Sequence, residues 1–307
     1  MTSFLWPKSQ DYKFENVSNG ISRDKLVFIE NFFAEKYNSK YCALVPSART
    51  GIILSLKYKN FNKSKIVQLP RWSSNCLVNA VGSIASITSS KNNVDCKILV
   101  HHLGQSFKTK KSKSFLIDDS SDSLPTDRFK SCKKSKYSEV ISLPKIIGSY
   151  AGGILLTNNK SLYFYVKKYQ NKNLELANKQ SLKKYQCIIE KTFNFDWYHD
   201  EVINYSLDFN TINNVYRNLD NFDKNKKIIL KRKEIFSKYI LYNDKYRLGS
   251  CLILKLKKKL INKTNTYHFN ISKNIDHEKF MQKIILPIHF TTNDSEIEKF
   301  FKIIFKN

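Results

Sequence analysis

From Asp24 onward, short apolar runs alternate with stretches of helical spacing, and this alternation limits the folds open to the chain. "DKLVFIENFFAEKYN" places Leu26, Phe28, Ile29, Phe32 and Phe33 at helical intervals. "YCALVPS" then reads as a buried strand ending at Pro46, "RTGIILSLKYKN" as a helix, and "KIVQLP" (Lys65 to Pro70) as a second strand. "WSSNCLVNAVGSI" is helical in pattern. "CKILVHH" and "SFLIDDSS" are strands, each apolar until polar residues close its C-terminal end, and "EVISLP" and "GGILLTN" are a further strand pair. Strands separated by helices predict an α/β domain with a largely parallel sheet. The pattern changes near residue 215. One long amphipathic helix is predicted over Phe222 to Asn243, followed by strand candidates in "SCLILKLKK" and "TYHFNIS". The end, "ILPIHFTTNDSEIEKFFKIIF", reads as a strand, a capping turn at Thr292 to Asp294, and a terminal helix.

A length of 307 residues suffices for a large domain with a real core, or for a large domain plus a small one. Hydrophobic content of 41% and aromatic content of 13% exclude a disordered chain. No run approaches the roughly 18 apolar residues of a membrane span. The N-terminal segment lacks the basic start and apolar stretch of a secretory signal, so a cytoplasmic protein is expected. Six cysteines without a CxxC pair argue against a zinc site and a disulfide framework, so no bound metal is expected. The net charge of +27 raises nucleic acid as a partner. The lysines, however, are spread along the chain among asparagines and isoleucines, as AT-rich codons would give, and no nucleic-acid-binding motif accompanies them. Nucleic acid is therefore not the expected partner. The run "KTKKSKS" (Lys108 to Ser114) reads as a solvated loop. A general positive field still favours ligands that carry phosphate.

In sheets of this kind ligands bind beyond the C-terminal ends of the strands, so the polar residues there carry the chemistry. "PSARTG" (Pro46 to Gly51) joins a strand to a helix, where the first backbone N–H groups make an anion site suited to phosphate. Ser47 and Thr50 add hydroxyls and Arg49 adds charge; by itself the stretch reads first as an ordinary helix cap. Asp118 and Asp119 end a strand, where a carboxylate can pair with a protonated ring nitrogen or serve only as a cap. Lys145 in "SLPKIIGSYAGG" follows Pro144 among apolar neighbours, which favour a neutral, nucleophilic amine. Ser142 is placed to reach the same phosphate, and the glycines allow close backbone approach. Trp72 in "LPRWSSN" follows a strand-ending proline, as a ring-stacking residue or as core filler. A phosphate cradle, an aspartate for a ring nitrogen, a lysine for an aldehyde and an aromatic face together describe pyridoxal phosphate.

In the same order along the chain, these stretches are similar to those of the pyridoxal-phosphate-dependent nucleotide-sugar aminotransferases of the DegT/StrS type. "CALVPSARTGIILSL" resembles the family's strand followed by S-G-T-x-A-L, with Arg49 in place of glycine. "VQLPRWSSNCLVNAV" resembles its P-x-[FYW]-T segment, and "LVHHLGQ" its V-H-L-Y-G-Q. "FLIDDSSDSL" resembles [VI]-E-D-x-A-[QHD], "SLPKIIGSYAGGILLTNN" the lysine segment K-x6-G-G-x-[VL]-x-[TS]-N, and "LPIHFTTNDSEIEKFFKII" the closing L-P-[IM]-H and helix. Ser142 lies three residues before the lysine where the family's serine lies five before it. The related sugar dehydratases carry histidine at the position held here by Lys145.

The resemblance implies a fold-type-I transferase of the aspartate-aminotransferase-like α/β class. Residues 1–215 would form a large α/β/α cofactor-binding domain with a mixed, mostly parallel sheet, and residues 216–307 a small C-terminal α+β domain. It implies Lys145 as the Schiff-base lysine, Asp119 opposite the pyridine nitrogen, Asp122 near the phenolic oxygen and Trp72 stacked on the ring. It also implies a homodimer, a nucleotide-sugar substrate and an amino-acid donor, typically glutamate. The rival reading is a catalytically degraded descendant that binds a sugar nucleotide or another ligand without turnover.

Overall fold

The computed structural model describes residues 6–8, 13–15, 22–71, 73–90, 93–106, 114–129, 137–189, 204–241, 244–254, 267–270 and 282–305. Helix α1 (Arg23–Lys36) precedes strand β1 (Tyr41–Val45), helix α2 (Ala48–Tyr58), strand β2 (Ile66–Gln68), helix α3 (Asn75–Gly82), and strands β3 (Ser86–Thr88), β4 (Cys96–Val100), β5 (Phe115–Asp119), β6 (Ser123–Pro125) and β7 (Tyr137–Ser142). Next come helix α4 (Leu143–Ile147), strand β8 (Gly153–Thr157), and helices α5 (Lys160–Lys167), α6 (Leu174–Ile189), α7 (Phe209–Arg217) and α8 (Asn221–Ile235). Strands β9 (Arg247–Gly249), β10 (Cys251–Leu254), β11 (Tyr267–Asn270) and β12 (Gln282–Pro287) and helix α9 (Asp294–Phe305) complete the chain.

The main sheet has the order β1-β8-β7-β5-β4-β2-β3. Its strands run parallel except β8, which is antiparallel to both β1 and β7. A second, antiparallel sheet has the order β10-β12-β11, and β6 pairs with β9. The fold is the mixed, mostly parallel α/β class that the alternation predicts.

Successive strand residues point to opposite faces, and the core divides accordingly. Ala43, Val45, Val140 and Leu155 join one cluster with Ile52 and Leu56 of α2 and Leu77 and Val81 of α3. Leu44, Ile141, Ile154 and Leu156 join the other with Leu26, Ile29 and Phe33 of α1. Each fully buried Val, Leu, Ile or Phe side chain among them contributes roughly 1.5–3 kcal/mol relative to exposure. The second cluster continues past residue 215 through Phe222, Ile229, Leu252, Leu286 and Phe300, so the C-terminal elements share the core of the sheet.

Two local expectations need correction, and one strand goes beyond them. The helix expected through Asn243 ends at Ile235, followed by one tight turn at Ser237–Tyr239. Phe236 is fully buried there, and Leu241 N–H then bonds to the Ile253 carbonyl at 2.8 Å, so pairing with β10 outweighs helix continuation. The strand expected through Pro144 ends at Ser142, where α4 begins with proline in its first turn, a position that needs no N–H. Strand β3 directly follows the predicted helical stretch around "NCLVNAVGSI".

Candidate active site

The polar ends of β1, β4, β5 and β7 meet at one edge of the sheet. At the end of β1, Ser47 caps α2: its hydroxyl accepts the Thr50 N–H at 3.2 Å and lies 3.1 Å from the Thr50 hydroxyl. Thr50 is buried and its hydroxyl donates to the Asn204 carbonyl at 3.1 Å. Arg49 is half-buried on the first turn of α2.

Gly153 begins β8 directly against this turn. A Cβ built on it would lie 2.5 Å from Ala48 N and 2.6 Å from the Ser47 carbonyl carbon, so no residue with a side chain fits without moving the helix start. Gly153 pairs with Ser142 across the β7–β8 ladder. Ser142 N–H in turn donates to the Ser121 carbonyl at 3.2 Å. Ser121 donates to Asp119 Oδ1 from its N–H at 3.1 Å and from its hydroxyl at 2.5 Å. A continuous set of backbone contacts thus joins the Ser47 turn, Ser142 and Asp119, which lie far apart in sequence.

Asp119 ends β5 and is buried, at 7% exposure. Both bonds from Ser121 fall on Oδ1; among the described residues nothing donates to Oδ2. Asp118 faces the other way and pairs with His101 Nε2 at 2.9 Å. Asp122 is buried, and its carboxyl is pushed up by burial, against the pull of the Lys145 charge and the Leu103 N–H. Leu103 holds that N–H from a left-handed conformation (φ 52°), a strained setting for a branched residue. The neighbouring Ser120 hydroxyl donates to Glu139 at 2.6 Å and accepts from Arg247 at 2.6 Å, and Arg247 reaches Glu139 at 2.7 Å. This buried pair fixes the end of β5 from behind. Arg247→Met is expected to cost about 3–5 kcal/mol, because it leaves the Glu139 charge uncompensated. Urea unfolding measures this, and an unchanged midpoint contradicts it.

Lys145 is half-buried on α4, three residues after Ser142. Its backbone carbonyl accepts the Ser250 hydroxyl at 3.1 Å. Its charge acts on Asp122, His102 and Cys251, which places the amine among them. Its Nζ lies 4.2 Å from the centre of the Trp6 ring. The structure therefore brings Ser47, Arg49, Thr50, Asp119, Asp122, Ser142 and Lys145 to one edge. Trp72 lies outside the described residues.

Sequence reading assigned no role to His102 or Trp6. His102 ends the "LVHH" strand among the other strand-end polar residues, so its position was visible in the sequence; Trp6 belongs to no periodic element. Burial depresses the His102 imidazole to about 4, a shift reinforced by Lys145 and His101 and opposed by Asp119. A depressed folded value means that stability from the neutral ring is present above the unfolded value of 6.5 and lost as pH falls toward about 4. The interval is worth roughly 3 kcal/mol. His102→Gln is expected to flatten the stability profile across that interval in chemical unfolding; an unchanged slope contradicts the assignment.

A family model described as "Putative PLP-dependent aminotransferase" matches residues 29–307. The chain belongs to this family. It is a pyridoxal-phosphate-dependent aminotransferase. No curated protein is significantly similar to the sequence. Among solved structures, the aminotransferase is similar to a DegT DnrJ EryC1 StrS aminotransferase from Brucella abortus (10% identity, TM-score 0.60, covering 92% of this chain and 90% of that one). It is similar to the aminotransferase TlmJ from Streptoalloteichus hindustanus (14%, TM-score 0.62, 93% and 90%). It also resembles GDP-4-keto-6-deoxymannose-3-dehydratase, ColD, solved with bound GDP-perosamine (13%, TM-score 0.59, 92% of each chain). At these identities the likeness is one of fold.

The residues present in the aminotransferase fit the cofactor on two observations. The uncommitted Asp119 Oδ2 suits a protonated ring nitrogen. The side-chain-free approach of Gly153 to the Ser47 turn leaves the backbone at the start of α2, beside the Ser47 hydroxyl, to face an anion. Among the described residues no group of three or more His, Cys, Asp or Glu is placed to hold a metal ion, and no helix is long and apolar enough to cross a membrane.

Proposed function

We propose that this aminotransferase moves an amino group from an amino acid, with glutamate the leading donor, to the keto carbon of a nucleotide-linked sugar. Membership of the DegT/StrS type, a homodimer with the site at the subunit interface, a cytoplasmic setting and a place in surface-polysaccharide or modified-sugar synthesis belong to the same reading. So does a division into a cofactor-binding part, 1–215, and a smaller part, 216–307. The observation that carries it is the meeting of Lys145, Asp119, Asp122 and the Ser47 turn at one sheet edge. The GDP-4-keto-6-deoxymannose-3-dehydratase among its fold relatives, solved with bound GDP-perosamine, supports the substrate class. A lysine at position 145, where the dehydratases carry histidine, supports transfer over dehydration.

Pyridoxal phosphate supplies an aldehyde that accepts an amine and a ring that withdraws electrons from the adjoining carbon. Lys145 would hold the cofactor through that aldehyde, and its amine would move a proton at the donor carbon. Asp119 Oδ2 would hold a proton on the ring nitrogen, and Asp122 would serve the phenolic oxygen. Ser47, Arg49, Thr50 and Ser142 would hold the phosphate; the ring-stacking role proposed for Trp72 rests on the sequence alone. Dispersed lysines attract the nucleotide's phosphates without making nucleic acid the partner.

Purified protein with the cofactor is expected to show a visible absorption band, and borohydride reduction with peptide mapping to place the pyridoxyl group on Lys145. L-Glutamate should shift the band and a nucleotide-linked keto sugar should restore it. Attachment elsewhere overturns the site. A band that answers to glutamate but to no nucleotide-linked keto sugar overturns the substrate.

A further inference from the structure

We propose that Trp6 is a positioning residue of this site: its ring holds the Lys145 amine in place, and its indole N–H donates to an oxygen of the bound reactant. The inference rests on the reading of Lys145 as the cofactor lysine.

Three observations carry it. The Lys145 Nζ stands 4.2 Å from the Trp6 ring centre, within the range of a cation–π contact. A lysine is a compact charge on a flexible four-carbon stem, and a ring at that distance restricts where the amine can rest. The Trp6 Nε1 is buried and, among the described residues, has no hydrogen-bond partner. Buried indole N–H groups ordinarily find an acceptor, so an unmatched donor beside a reactive amine marks where an acceptor is to come. Finally, the segment carrying Trp6 is seated rather than draped. Pro7 is buried, and Lys8 N–H donates to the Thr291 hydroxyl at 3.2 Å. Pro7 and Lys8 cross directly over Gly148, the left-handed residue (φ 71°) that ends α4. A Cβ on Gly148 would lie 2.8 Å from the Lys8 carbonyl oxygen and 3.3 Å from Pro7 Cβ. The ring is thereby tied to the same short helix that carries Lys145.

The acceptor is an oxygen, and two sources offer one: the cofactor itself and the carboxylate of the amino donor. The three tryptophans of the chain give three indole N–H resonances when labelled with ¹⁵N, and Trp6→Phe identifies the one from Trp6. A downfield shift of that resonance on adding pyridoxal phosphate alone assigns the acceptor to the cofactor. A shift that needs L-glutamate as well assigns it to the donor. Trp6→Phe keeps a ring and loses the N–H, so kcat should be largely preserved while the KM for glutamate or the affinity for the cofactor weakens. Trp6→Leu loses both, and kcat should fall by about tenfold or more, the rate equivalent of a desolvated cation–π contact. If the pyridoxyl group maps to Lys145 yet the Trp6 resonance is unmoved by cofactor and by donor, the proposal fails alone. If no pyridoxyl group maps to Lys145, the reading beneath it fails as well.

Discussion

Lys145→Ala is expected to abolish amino transfer, with a loss of at least about ten-thousand-fold, and to leave no pyridoxyl peptide after borohydride reduction. In the proposed function the side chain is both the amine that holds the cofactor and the base that moves the proton, so one substitution would remove two steps. The fold should survive it. The Lys145 side chain is half-buried, and the bond that braces α4 uses its backbone carbonyl, which alanine keeps. Single-turnover assays with glutamate measure the loss, and thermal unfolding checks the fold. Activity within tenfold of the parent would show that another group carries the chemistry.

Asp119→Asn should cost roughly a hundred- to ten-thousand-fold in rate with little change in stability. Asparagine keeps an acceptor at Oδ1 for the two bonds from Ser121 and replaces the uncommitted Oδ2 with a donor. In the proposed function nothing would then hold the proton on the ring nitrogen. Asp118 supplies the control. It neighbours Asp119 on β5, faces the opposite side of the sheet, and is engaged by His101 at 2.9 Å. Asp118→Asn should therefore change the rate far less. Equal losses in the two variants, or none in Asp119→Asn, contradict the assignment.

The alternation of strand and helix was legible because each buried strand is a short apolar run ended by polar residues. Those ends, at Ser47, Asp119 and Ser142, also marked the candidate site. Strand β3 was not legible: Ser-Ile-Thr is largely exposed and leaves no apolar signal. Helix α4 was hidden because Leu143 and Pro144 continue the apolar run of β7, and only the backbone reversal at Gly152 requires the turn. The end of α8 was hidden because its amphipathic pattern continues past Ile235, whereas the pairing with β10 that stops it is a contact between distant segments. Trp6 was hidden for the same reason, since its neighbours lie on α4 and beside Thr291.

The reversed strand β8 has a consequence for synthesis of the chain. Among the described residues, strand β1 stands at the edge of the sheet with β8 as its only partner. A ribosome that has released residues up to Ser142 has already made β2, β4, β5 and β7, which pair among themselves. The first strand, with the Ser47 turn at its end, waits unpaired until Gly153–Thr157 emerges more than a hundred residues later. Nascent chains ending just before Gly153 should therefore be cleaved by protease around β1, and chains extended past Thr157 protected there. The end of the site proposed to bind phosphate is written early in the chain and is assembled only when the strand after the lysine arrives.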